Sequence, residues 1–130
     1  MLPAALRMRR SDEFARTIRT GARAGRSTLV VHCVVDQDCA VDSSGHDPHV
    51  GFVVSKAVGG AVVRNRVRRR LRGAVLEHRE ALPPGTDLVV RALPPSATAP
   101  YATVRDELRS ALGSALRRAG AGPAVARGAS

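Results

Sequence analysis

Aromatic residues are nearly missing from this chain: Phe14, Phe52 and Tyr101 are the whole set, with no tryptophan. Nucleic-acid binding by extensive base stacking needs more ring faces than that, so backbone recognition must dominate any such contact. Lysine is almost absent too, Lys56 standing alone beside twenty arginines. The two cysteines, Cys33 and Cys39, are too few for a disulfide framework. Met1–Leu6 offers no secretory core, so the expected compartment is the reducing cytoplasm. No apolar run approaches the length that spans a bilayer. The absence with most content is local. Between Asp47 and Glu77 there is no acidic residue at all.

Into that acid-free stretch the chain places six arginines within nine residues: Arg64, Arg66, Arg68, Arg69, Arg70 and Arg72. At about 100° per residue, Val63, Val67, Leu71, Ala74 and Val75 share one sector of a helix about 120° wide. Arg64 borders it, and Asn65, Arg68, Arg69 and Arg72 fill the next sector. Arg66 and Arg70 lie on the opposite shoulder, near Glu77 in angle, and are the arginines expected to be partly structural. Like charges at i, i+4 and i+8 (Arg64, Arg68, Arg72) cost about 0.2–0.5 kcal/mol per pair. Carrying that repulsion without carboxylates to relieve it implies an external polyanion, since guanidinium forks match phosphate oxygens. The plain alternative is a solvated helix face.

Bulk charge agrees. A net +10 over 130 residues, one domain in length, suggests nucleic acid or an anionic membrane surface. The membrane fits poorly, because the other face of the basic helix carries valines rather than bulky interfacial anchors.

In chain order, 1–10 reads as a basic arm, and Ser11 caps a short helix from Asp12 to about Arg19 that Gly21 stops. Ser27–Val35 reads as a strand. Asp36–Pro48 is a polar loop, and Val50–Ser55 a second strand, expected antiparallel to the first. The basic helix runs from Ala61 to about Ala81, ended by Pro83, Pro84 and Gly85. Asp87–Leu93 is a strand, and a last amphipathic helix starts near Pro100 and runs to about Arg118. Residues 1–119 form the domain; 120–130 is a Gly/Ala-rich tail expected to be disordered.

Protein-borne catalysis finds little support. His32, His46, His49 and His78 are scattered, and no paired acid–base or carboxylate cluster is evident. A zinc set of Cys33, Cys39, His46 and His49 is conceivable, but five residues separate the cysteines where two to four are usual. The Asp-rich 36–48 loop lacks an EF-hand's ligand pattern. Gly59 and Gly60 precede no Gly-Lys-Ser/Thr and read as the strand-to-helix turn.

The run SKAVGGAVVRNRVRRRLR resembles the Arg-Asn-Arg block of the bacterial ribonuclease P protein family. The resemblance extends from about Arg7 to Arg118 and includes Arg7-Met8, Phe14, and Gly51 with Ser55-Lys56. It implies an α+β fold, a two-layer α/β sandwich with a small mixed sheet of about four strands and three helices, like a domain of a small-subunit ribosomal protein. It also implies a left-handed βαβ crossover, where general sterics favour the right-handed one. The implied function is that of the protein subunit of a ribonucleoprotein endoribonuclease, a hydrolase of tRNA 5′ processing. Its catalytic RNA removes the 5′ leader of precursor tRNA with Mg²⁺, and the protein supplies no catalytic group or metal ligand. By position, Arg64, Asn65, Arg66, Arg68, Arg69, Arg72 and Lys56 would contact RNA. Phe14 and an outward-facing His32 would line a cleft for the single-stranded leader. Where the family often carries further aromatics, this chain has Ile18 and His32, and Ala57 follows Lys56 where a second lysine is usual. The implied partners are the catalytic RNA and the leader, not DNA or membrane. A ribosomal-type RNA binder and a DNA reader using Asn65 in the major groove are the rival readings.

Overall fold

A computed structural model describes residues 11–35, 48–83 and 86–119. The expected basic arm, nearly all of the polar loop (with Cys39 and His46) and the C-terminal tail lie outside them. Helix α1 (Ser11–Thr20) leads into strands β1 (Ala22–Gly25), β2 (Leu29–Val35) and β3 (His49–Val53). Helix α2 (Ala61–Glu77) and a 3-10 turn (Arg79–Ala81) lead to β4 (Thr86–Ala92). A second 3-10 turn (Pro94–Ala97) precedes α3 (Tyr101–Arg118). Among the described residues the fold is α+β, with three α-helices and a four-strand mixed sheet.

The strand order is β1-β2-β4-β3. β1 pairs antiparallel with β2, β2 antiparallel with β4, and β3 parallel with β4. This corrects the expected antiparallel pairing of the second strand with the first. β4 takes the place between them, and a parallel neighbour requires the long crossover that α2 supplies. β1 was not expected; ARAG has no β-branched residue, and its pairing comes from β2 across a tight turn closed by Arg26 N–H donating to the Leu29 carbonyl at 2.8 Å. The basic helix also ends sooner than its pattern suggests, turning 3-10 after His78.

Alternation divides the sheet into two faces. Leu29, Val31, Cys33, Val50, Leu88 and Val90 turn to the helical layer and are at most 1% exposed. There they meet Val67, Leu71, Ala74 and Val75 of α2 and Leu108, Ala111, Leu112 and Ala115 of α3. Each buried valine or leucine contributes roughly 1.5–3 kcal/mol. Burial, and then Asp87, push the Cys33 thiol up to about 12, so it is an inert core residue at neutral pH.

The opposite face carries Val30, His32, Asp87, Val89 and Arg91, and α1 packs across it over β2 and β4. Arg16 of α1 meets Asp87 at 3.2 Å. Gly21 permits the close approach: a Cβ there would sit 2.4 Å from the Thr17 carbonyl oxygen and 2.9 Å from that of Cys33.

Candidate nucleic-acid interface

Placement of the basic helix begins with the turn before it. The Val58 N–H donates to the Ser55 carbonyl at 3.1 Å, and Gly59 follows with φ 158°. A Cβ at Gly59 would meet Val63 Cγ1 at 2.9 Å, so only glycine lets the chain turn directly into α2. Gly60 caps the helix without a side-chain hydrogen bond, and no acid stands in its first turn. The positive end of the helix dipole thus adds to the arginine charge rather than being offset.

Along α2 the core stripe fixes the rotation. Val67, Leu71, Ala74 and Val75 are buried, and Val63 packs against them. That orientation brings Asn65, Arg68, Arg69 and Arg72 together around a shallow depression of about 350 Å³. The Arg68 guanidinium donates to Asn65 Oδ1 at 3.2 Å, leaving the carboxamide NH₂ free to donate outward. Arg64 borders the stripe, half-buried, with its Nε lacking a protein partner. Among the described residues no carboxylate lies within ion-pair distance of any α2 arginine. Lys56 is exposed in the turn ahead of the helix.

Arg66 and Arg70 are placed differently. Arg66 Nη2 donates to the Ala97 carbonyl at 2.9 Å, and Arg70 Nη1 to the Ala99 carbonyl at 3.2 Å. Both brace α2 against the segment leading into α3. Their partners are carbonyls rather than Glu77, whose carboxylate accepts from the Tyr101 hydroxyl.

The side chain of Phe14 lies outside the described residues. His32 stands on the sheet face away from the core helices, as expected, but it is 3% exposed rather than open. The correction has a physical reason: α1 docks over β2 and β4, which a strand pattern alone does not reveal. Neither ring nitrogen of His32 has a protein partner, and the buried Thr17 hydroxyl is likewise unsatisfied. Burial, then the charges of Arg91 and Arg23, hold the His32 pKa below its usual value, so the imidazole is neutral near pH 7. Arg23 and Arg91 were not anticipated as neighbours, since only the β1–β2–β4 register brings them beside His32.

Among the described residues no three of His, Cys, Asp and Glu come together as a metal site, and no helix is long and apolar enough to cross a membrane.

Comparison with known proteins places these features in a family. A sequence model of the family described as Ribonuclease P matches residues 2–116. The ribonuclease P protein component of Beutenbergia cavernae is 60% identical over 125 residues, covering 95% of this chain and 99% of that one. The protein of the same description from Kocuria rhizophila is 51% identical over 118 residues, 91% of this chain and 98% of the relative. Among solved structures, the Staphylococcus aureus RNase P protein aligns with a TM-score of 0.70 at 24% identity, covering 83% of this chain and 93% of that one. The Thermotoga maritima RNase P protein gives 0.65 at 24% identity, covering 80% and 92%. At that identity the structural likeness speaks to the fold.

Proposed function

This chain belongs to the ribonuclease P protein family, and from that premise we propose that it is the protein subunit of a ribonucleoprotein that matures the 5′ ends of tRNA. The observation that carries the reading is the α2 ridge: Asn65, Arg68, Arg69 and Arg72 share one depression with no carboxylate of the described chain to neutralise them. A cationic ridge of this kind stores repulsion that a phosphate backbone relieves, and counterion release makes the contact favourable. In this reading the ridge, with Arg64 at its border and Lys56 ahead of it, grips the catalytic RNA. Arg66, tied to the Ala97 carbonyl, holds the helix in place.

The leader of precursor tRNA runs along the sheet face beside α1. Arg23, exposed, and Arg91, half-buried, offer charge to its phosphates there. His32 is neutral and meets a base only where α1 gives way. The cleavage chemistry, with its Mg²⁺, belongs to the RNA, in the cytoplasm. The protein lowers the electrostatic cost of bringing two polyanions together.

Reconstitution tests this reading. The full chain, mixed with a bacterial ribonuclease P RNA at low Mg²⁺, is expected to raise cleavage of a precursor tRNA at its mature 5′ end, while protein alone cleaves nothing. A mixture no more active than RNA alone, or a protein that cuts by itself, overturns it.

A further inference from the structure

The outer face of α3 carries a second arginine cluster that the reading above leaves unused. Asp106, Arg109, Ser110, Gly113, Ser114 and Arg117 line a shallow depression of about 370 Å³. At about 100° per residue they lie on the side of α3 opposite its buried stripe of Val104, Leu108 and Ala115. Arg26, from the β1–β2 turn, reaches across to this face. Its Nε and Nη2 donate to Ser110 Oγ at 3.1 and 2.8 Å, Nη2 also to Ser114 Oγ at 3.1 Å, and Nη1 to the Gly25 carbonyl at 2.7 Å.

These hydrogen-bond partners are neutral, and the carboxylate that feels Arg26 is Glu107, as the weakest of the influences on it. That carboxylate makes no salt bridge with Arg26, because its oxygens are taken up by the turn. Glu107 Oε1 accepts from the Thr28 N–H and hydroxyl at 2.8 and 2.7 Å, and Oε2 from the Ser27 hydroxyl at 2.7 Å. Glu107 thereby clamps the turn that presents Arg26. Among the described residues Asp106 is the one acid lining the depression, and Arg105 Nε already faces it at 3.4 Å. Arg26, Arg109 and Arg117 leave the surface clearly cationic.

Gly113 supplies an independent observation. It sits inside an 18-residue helix, where glycine is disfavoured. A Cβ there would meet only the flexible tip of Arg117, at 3.4 Å, so packing does not demand glycine. With Ser110 and Ser114 beside it, the helix backbone is left bare between arginines, which suits close approach by another chain's backbone. Among the described residues no aromatic lines the depression to stack an unpaired base, and no apolar side chain lines it to form a protein interface core.

This surface and the α2 ridge face different ways. The flank of α2 bearing Arg66, Arg70 and Glu77 meets the segment around Ala97–Tyr101, which turns Asn65, Arg68 and Arg72 away from α3. The flank of α3 bearing Glu107, Ser110 and Ser114 meets the β1–β2 turn, away from α2.

We propose that the outer face of α3, with Arg26, is a second docking surface for RNA that holds the sugar-phosphate backbone of a helical segment distinct from the one gripped by α2. The proposal rests on the ribonuclease P reading, and two protein surfaces facing different ways would let one small subunit bridge separate helices of a folded RNA.

The test is binding of the full chain to a bacterial ribonuclease P RNA transcript across a NaCl series. The double variant Arg109→Gln/Arg117→Gln is expected to lower the log–log salt slope by roughly one to two units. Gly113→Glu, which puts a carboxylate in the depression, is expected to weaken binding tenfold or more. Circular dichroism and melting serve as fold controls, with Gly113→Ala melting no lower than the parent. Combined with Arg68→Ala/Arg72→Ala, the losses should add, as for separate contacts. Unchanged slope and affinity in the α3 variants, while the α2 variant loses both, overturns the second surface and leaves the family reading intact. A parent protein that prefers duplex DNA, or binds no RNA, removes both.

Discussion

The Tyr101 hydroxyl donates to the Glu77 carboxylate, tying the last turn of α2 to the first turn of α3. Glu77 is the first acid after the long acid-free stretch, and by angle it could have quenched Arg66 or Arg70. It is spent on a helix–helix tie instead. Burial, and then the bond to Glu77, push the Tyr101 pKa above its usual value. Tyr101→Phe should cost about 0.5–1.5 kcal/mol, since the contact is partly solvated. At roughly 4 °C per kcal/mol for a domain of this size, melting should drop by a few degrees. The salt slope of RNA binding should not move.

The α2 arginines divide by partner, so they should divide by phenotype. Arg68→Ala/Arg72→Ala should lower the RNA salt slope by roughly one to two units with little change in melting. Arg66→Ala/Arg70→Ala should do the reverse, because each guanidinium braces a backbone carbonyl. Salt titrations paired with thermal melts on the same samples check this. Equal effects of the two pairs on both readouts would contradict the division.

His32 makes stability depend on pH. Its pKa is lowered in the fold, so the unfolded chain binds the proton more readily. Stability is therefore full above the unfolded value near 6.5 and falls as pH drops below it toward the folded value. His32→Leu removes the titration along with two unsatisfied buried nitrogens. The variant should melt at least as high as the parent at pH 7.5 and lose less between pH 7 and 5. A parallel decline in both proteins would show that other groups govern this range.

Glu107 acts in a more acid window. The Thr28 hydroxyl bond, helped by Ser27, the Thr28 N–H and Arg26 and opposed by desolvation, holds its carboxyl below the usual glutamate range. Its contribution is thus present above the unfolded value near 4.5 and is lost as pH falls through the folded one. Glu107→Gln should flatten the melting-versus-pH curve between about pH 5 and 3. It should also loosen the β1–β2 turn, read as faster amide exchange at Thr28.

Several elements are legible in the sequence alone. The valine–leucine stripe of α2 sets which arginines face water, because helical periodicity alone segregates them. The apolar runs of β2 and β4 and the stripe of α3 announced themselves in the same way. Other features left no such mark. β1 is four residues of ARAG with weak strand preference, and it exists because β2 presents an unpaired edge to it. His32 alternates correctly onto the face away from α2 and α3, yet nothing in its neighbours along the chain says that α1 will cover it. The Arg26–Ser110–Ser114 contact joins residues more than eighty positions apart.

The order of residues alone determined the charge, the missing counter-charge and the side of the basic helix that carries it, since these follow from composition and a local 3.6-residue period. The tertiary structure decided which strand sits beside which, that α1 closes over His32, and that Glu77 and Glu107 are turned to structural ties. Those outcomes depend on contacts between distant segments, where a two-residue alternation names a face but never a partner.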